Sequence, residues 1–177
     1  CGDCLEGWGG QRCVGSTGRP VIGLSGWRGQ AQVTDIAFHF NAPDRIGYAC
    51  RLLRKATASG AKVVVTGTPE TLQQLDLALW DFSPVDFVPH CFLDADANVV
   101  SASPVILADT VFDTPHRQVL VNLGRDVPAG FDQFERVIEV VCLDEDDRLT
   151  ARGRWKYYAD AGHKIIRHDL AQKSQQS

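Results

Sequence analysis

The sequence predicts an α/β layered domain built on a largely parallel sheet flanked by helices. Three observations carry the prediction. From Asp35 onward, strand-like and helix-like segments alternate. One early segment, Lys62-Val-Val-Val-Thr66, is a continuous β-branched run of the kind buried on both faces of a parallel sheet. The chain has 177 residues, 44% of them hydrophobic and 23% charged, which suits one globular domain with a real core.

Each element has a local reason. Asp35-Ile-Ala-Phe-His-Phe40 reads as a short strand. Asn41-Ala-Pro-Asp44 is a helix entry, with Pro43 early and Asp44 acidic in the first turn. Ile46, Ala49, Cys50, Leu52 and Leu53 then recur at helical spacing until Ser59-Gly60 ends the helix. After the strand at 62–66, Thr68-Pro-Glu70 opens a second helix with Leu72, Leu75, Leu79 and Trp80 on its apolar face. Phe87-Val-Pro-His90 is a short extended stretch, and Val105–Ala108 and Val119–Asn122 are strands. A helix is expected over about 131–140, because Phe131, Phe134, Val137, Ile138 and Val141 lie three and four apart. The last helix is expected from about Asp144 to Ala161, followed by an edge strand at 164–167. The ordered domain is expected over 34–170, and residues 171–177 read as a frayed polar tail.

Residues 1–33 stand apart. Residues 1–30 hold nine of the 16 glycines and show neither a helix nor a strand period. The sequence contains no methionine, so this Gly/Cys-rich segment is expected to be a disordered or misassigned upstream extension. Cys1 and Cys4 form a C-x2-C pair with Cys13 nearby, but a structural zinc site needs four ligands and the closest histidine is His39. No metal site is expected. Cys50, Cys91 and Cys142 lie singly among apolar neighbours, as buried free thiols do.

Several function classes recede. The net charge is -4, whereas a protein gripping DNA over a broad face is usually basic. Extensive DNA contact is therefore not expected. No apolar run approaches the roughly 18 residues of a membrane span, and no signal-peptide pattern opens the sequence, so the expected compartment is the cytoplasm. A phosphate-binding loop is missing: no G-x-x-x-x-G-K-[ST] occurs, and the first strand leads into Asn41-Ala-Pro-Asp44 rather than a glycine-rich turn. His90 and Cys91 are adjacent, but neighbours on a strand point to opposite faces, so a packed strand with a hydrogen-bonded histidine is the better reading. Asp144, Glu145, Asp146 and Asp147 sit where a helix N-terminus favours negative charge. No catalytic residue and no cofactor is expected. An α/β nucleotide-binding or hydrolytic enzyme with an unrecognised site is the alternative.

The last helix carries the most information. At 100° per residue, Arg148, Arg152, Trp155 and Lys156 share a stripe about 100° wide, which Arg154 and Tyr157 do not join. Such a stripe is either a solvated face with Trp155 covering the core, or a dock for an acidic, aromatic peptide. Gly153 costs about 1 kcal/mol in mid-helix relative to alanine and leaves an uncovered spot beside the stripe.

Three separated segments carry a resemblance. Ala151-Arg-Gly-Arg-Trp-Lys-Tyr-Tyr-Ala-Asp-Ala-Gly162 resembles the A-R-x-R-[YW]-K-x-Y-x-x-A-G signature of the chi subunit of the bacterial DNA polymerase III clamp-loader assembly. Leu77-Ala-Leu-Trp80 followed by Phe87-Val-Pro-His90 resembles that family's L-W helix end and F-[VIL]-P-H loop. Pro104-Val-Ile-Leu107 and Gln118-Val-Leu-Val-Asn-Leu123 follow in the same order. The resemblance spans about 34–168. It implies a Rossmann-like three-layer fold without catalysis, acting in DNA replication. It also implies binding of the acidic, Phe-terminated C-terminal tail of single-stranded-DNA-binding protein at Arg148, Arg152, Trp155 and Lys156, with Val141 as an apolar wall. It further implies an interface at Trp80 and Phe87 for the psi subunit of the clamp loader or, in some bacteria, a helicase related to repair. DNA contact would then be indirect. Trp155 stands where the family more often has tyrosine.

Overall fold

The computed structural model describes residues 34–81 and 87–173. The expectations placed on residues 1–33, including Cys1, Cys4 and Cys13, lie outside these residues. Seven strands form one sheet: β1 (Asp35–Ala42), β2 (Val63–Thr66), β3 (His90–Phe92), β4 (Val105–Ala108), β5 (Val119–Asn122), β6 (Arg136–Cys142) and β7 (Ile165–Asp169). Their spatial order is β3-β4-β2-β5-β6-β1-β7, and every pairing is parallel. Parallel strands need crossovers. α1 (Arg45–Ala58), α2 (Pro69–Asp81), α3 (Ala97–Ala102) and α4 (Glu145–Asp160) supply those after β1, β2, β3 and β6, while the connections after β4 and β5 carry no α-helix. A single turn, α5 (Leu170–Lys173), follows β7.

Side chains alternate across the sheet and build two cores. Val63, Val65, Leu107, Val121 and Val140 point to one face, where Leu53 of α1 and Leu75 of α2 cover them. Ile36, Phe38, Val64, Ile106 and Leu120 point to the other, under Val100 of α3 and Ala151 and Tyr158 of α4. The layered α/β architecture with a parallel sheet is therefore as expected, and here the sheet is wholly parallel.

The segment expected as a helix at 131–140 is not one. Phe131–Gln133 is a single 3-10 turn, and Arg136–Cys142 is β6, in the interior of the sheet. Apolar residues on both faces of a buried strand imitate a helical period over so short a span. The β-branched content of Arg-Val-Ile-Glu-Val-Val-Cys was the discriminating signal. Asp44 is the N-cap of α1, not a first-turn residue: its carboxylate accepts from Ile46 N at 3.1 Å and Gly47 N at 2.9 Å. Residues 171–173 complete the single turn of α5.

The free cysteines behave largely as expected. Cys50 and Cys91 are buried, and burial pushes the Cys50 thiol up to about 11. Cys142 is only partly buried, and its sulfur accepts from Arg45 Nε at 3.4 Å.

Candidate functional site

The face that α4 buries explains the face it presents. Asp147, Ala151, Arg154 and Tyr158 are the buried residues of α4, spaced four, three and four apart, which is one helical stripe. Two of the four are charged, so the stripe does not look apolar in the sequence. Asp144 caps the helix by accepting from Asp147 N at 3.1 Å. The Asp147 carboxylate pairs with Arg45 at 2.6 Å and accepts from Cys142 N at 2.7 Å, tying α4 to α1 and to the end of β6. The acidic run at 144–147 thus caps the helix as expected, and Asp147 also anchors it.

The second anchor is a buried polar cluster. Glu139 on β6 is fully buried and accepts from Arg154 Nε at 2.9 Å, Tyr158 OH at 2.8 Å and Asn122 Nδ2 at 3.1 Å. Arg154 Nη1 also donates to Arg125 O at 2.7 Å, while its Nη2 is buried without a partner among the described residues. Desolvation holds the Glu139 carboxyl above its ordinary range, and the Arg154 guanidinium and the donated hydrogen bonds pull the other way. Arg154 was set aside in the sequence because it left the basic stripe. It leaves the stripe because it points into the core.

With that face pinned, the opposite side of α4 is presented. Arg152 and Lys156 are exposed and make no hydrogen bond or ion pair among the described residues. Trp155 is half-buried, its ring 5.0 Å from Phe38 and 6.1 Å from Phe40. Arg148 is held: its Nη2 donates to Asn41 Oδ1 at 2.9 Å, and Asn41 Nδ2 donates to Asp169 Oδ1 at 2.7 Å. Asn41 makes this bridge from a left-handed backbone (φ 63°) where the β1–β6 register shifts, a conformation that asparagine tolerates well.

A shallow groove of about 320 Å³ opens beside Trp155, lined by Phe40, Ala151, Arg152, Trp155 and Arg167. Of the four stripe residues, Arg152 and Trp155 line it, while Arg148 and Lys156 do not. Val141 is fully buried in the same core on which Trp155 packs, so it supports the groove from beneath and has no surface to offer a ligand. Phe40 and Arg167 were missed in the sequence, because only the pairing of β1 with β7 brings them to α4. Nor is the groove the gap left by Gly153, where an added Cβ would meet nothing within 4 Å and which does not line the groove.

Trp80 and Phe87 form a second surface. Their rings stand 5.0 Å apart and are 62% and 53% exposed, with Leu77 beside them at 70%. Beneath them lies the His90 side chain, 5.4 Å from the Trp80 ring, hydrogen-bonded to Val88 O at 2.7 Å and Asp76 at 3.1 Å. His90 and Cys91 do point to opposite faces of β3, and the histidine is satisfied as expected.

The model of the family "DNA polymerase III chi subunit, HolC" matches residues 33–166. The chain belongs to the DNA polymerase III chi subunit family. Family membership makes it a non-catalytic accessory subunit of replication. It is 32% identical over 127 residues to the DNA polymerase III subunit chi of Pseudomonas aeruginosa, covering 71% of this chain and 87% of that protein. It is 29% identical over 109 residues to the subunit chi of Haemophilus influenzae, covering 61% and 75%. Among solved structures, S. cerevisiae Dbp5 bound to RNA and ADP BeF3 superposes with a TM-score of 0.55 at 14% identity, over 82% of this chain and 44% of the other. A Dbp5 complex with Nup159, Gle1, IP6 and ADP gives 0.52 at 14% identity, over 78% and 42%. The chain thus spans under half of either Dbp5 chain, and the likeness is one of fold.

In this chi-family chain, the place where open α/β sheets bind nucleotides has a different chemistry. A cavity of about 450 Å³ lies at the C-terminal ends of β2, β3 and β4. Asp94 and Asp109 line it and no lysine or arginine does, so its charge opposes a phosphate. Among the described residues no group of three or more His, Cys, Asp or Glu is placed to hold a metal ion, and no helix is long and apolar enough to cross a membrane.

Proposed function

We propose that this chi-family subunit is an adaptor that binds the acidic, Phe-terminated C-terminal tail of single-stranded-DNA-binding protein at the Trp155 groove. The carrying observation is the pairing of an exposed, uncommitted Arg152 with an aromatic surface in one shallow groove. A terminal phenylalanine ring packs on Trp155 and Phe40, and a carboxylate meets the Arg152 guanidinium. Lys156 and Arg148 add positive potential around the rim. The subunit acts at the cytoplasmic replisome, and its contact with DNA is indirect.

Calorimetric titration with a peptide ending in Asp-Phe-Pro-Phe tests the reading. Wild-type protein should bind, Arg152→Ala should weaken binding by about tenfold or more, and affinity should fall as salt rises because the pairing is partly exposed. No binding by the wild type sinks the reading, and binding indifferent to Arg152→Ala moves the tail elsewhere.

The Trp80–Phe87 patch serves the second half of the adaptor, docking the psi subunit of the clamp loader or a repair helicase. Paired aromatics this exposed are unusual away from an interface. Trp80→Ala should abolish co-elution with a cognate psi subunit while leaving the thermal midpoint within about 2 °C, since an exposed side chain contributes little to folding. Unchanged co-elution would assign the patch to some other partner.

A further inference from the structure

We infer that Arg167, on the edge strand β7, is a second cation of the Trp155 groove, so that the groove reads two carboxylates on its ligand and not one. The inference rests on the tail-binding reading above.

Arg167 lines the same groove as Arg152 but comes from a different element. Its guanidinium carbon lies 5.2 Å over the centroid of the Phe40 ring. A guanidinium stacked on a ring uses its face and leaves its N–H edge available for a carboxylate. That edge is uncommitted. Arg167 makes no hydrogen bond among the described residues, and its only ion pair is to Asp169 at 3.7 Å, beyond hydrogen-bonding distance. Asp169 is itself occupied, accepting from Asn41 at 2.7 Å and from Ala171 N at 3.1 Å. The hydrogen bond from Asn41 is the main cause that keeps the Asp169 carboxyl below its ordinary range, so it stays ionised and keeps Arg167 oriented without saturating it. The Arg167 side chain is 65% exposed, accessible to a ligand while its stem packs at the groove.

Two guanidiniums, one from α4 and one from β7, therefore flank an aromatic floor made by Trp155 and Phe40. A lone cation beside a ring would accept any C-terminal aromatic residue. Two cations favour a chain end that carries its own carboxylate and an acidic side chain a few residues earlier. Arg167 takes one of these two carboxylates.

A double-mutant cycle tests this with the full chain and three peptides: the acidic tail peptide, the same peptide amidated at its C-terminus, and one with Asp replaced by Asn. Arg167→Gln should weaken the unmodified peptide about three- to fivefold, as a partly exposed charge pair does. It should have no effect on one of the two neutralised peptides. Arg167→Glu should weaken binding about tenfold or more, while Lys164→Glu, an equal charge change on an exposed neighbour that does not line the groove, should do much less. The thermal midpoints should match that of the wild type. Equal effects of Arg167→Gln on all three peptides, or Arg167→Glu no worse than Lys164→Glu, overturn the inference and leave the Arg152 site standing. Absence of binding by the wild type removes the site and this inference together.

Discussion

Arg154→Ala is expected to destabilise the fold by about 3–5 kcal/mol, the range for stripping one partner from a buried ion pair. Arg154 and Glu139 are 3% and 0% exposed and 2.9 Å apart. Without the guanidinium, a carboxylate stays in the core with only Asn122 and Tyr158 to satisfy it. The alternative open to Glu139 is to take up a proton. Burial already raises its folded pKa, and losing Arg154 removes the largest influence that lowers it. A raised carboxyl makes the folded state bind more protons than the unfolded one. Stability must then fall as pH rises from the unfolded carboxyl value, about 4.3, up to the raised folded value. The deficit of Arg154→Ala should therefore be smallest near pH 4 and grow towards neutrality. Urea melts at several pH values measure it, and a flat loss below about 1 kcal/mol would contradict the account. The double variant Glu139→Gln with Arg154→Met should recover most of the loss, because it removes both charges at similar volume.

Trp155→Ala should be the most damaging change at the groove, because it acts on stability and on binding. The ring packs on Phe38 and Phe40 and also lines the groove. Truncating a half-buried tryptophan is expected to cost about 2–3 kcal/mol, somewhat less than for a fully buried one. Tail affinity should fall at least tenfold, as for an aromatic hot spot. Trp155→Tyr should keep a ring against Phe38 and recover most of both losses. Thermal unfolding and peptide titration on the three proteins separate the effects. A Trp155→Ala protein that binds like the wild type would show that the ring only seals the core.

The parts of this molecule legible in the sequence are those with a local signature. Asp44, the β-branched 63–66 run and the apolar rows of α1 and α2 are near-neighbour patterns, and each marks its element within a residue or two. The acidic run at 144–147 marks the start of α4, and counting at helical spacing from Arg148 brings Arg152 and Trp155 to one side. What stayed hidden depends on tertiary placement. β6 looked helical because a strand covered on both faces loses its alternation. Arg154 has no local mark of its burial because its partner Glu139 lies on another element. Arg167 and Phe40 could join the groove only once β1 was known to lie between β6 and β7. The twelve-residue signature turns out to be divided: Arg152, Trp155 and Lys156 face outward, Arg154 and Tyr158 grip Glu139, and Gly162 stops the helix in a left-handed conformation (φ 80°).

The position of β1 also bears on the birth of the protein. It is the earliest strand of the described residues, yet its two neighbours, β6 and β7, come late, with Asp35 opposite Arg136 and Ile36 opposite Ile165. Phe40 must therefore wait through most of translation for Trp155 and Arg167. Until α4 has left the ribosome, the nascent chain has half of an aromatic floor and neither wall, and β7 then adds the second wall. The groove is complete only when β7, the last strand of the described residues, pairs with β1.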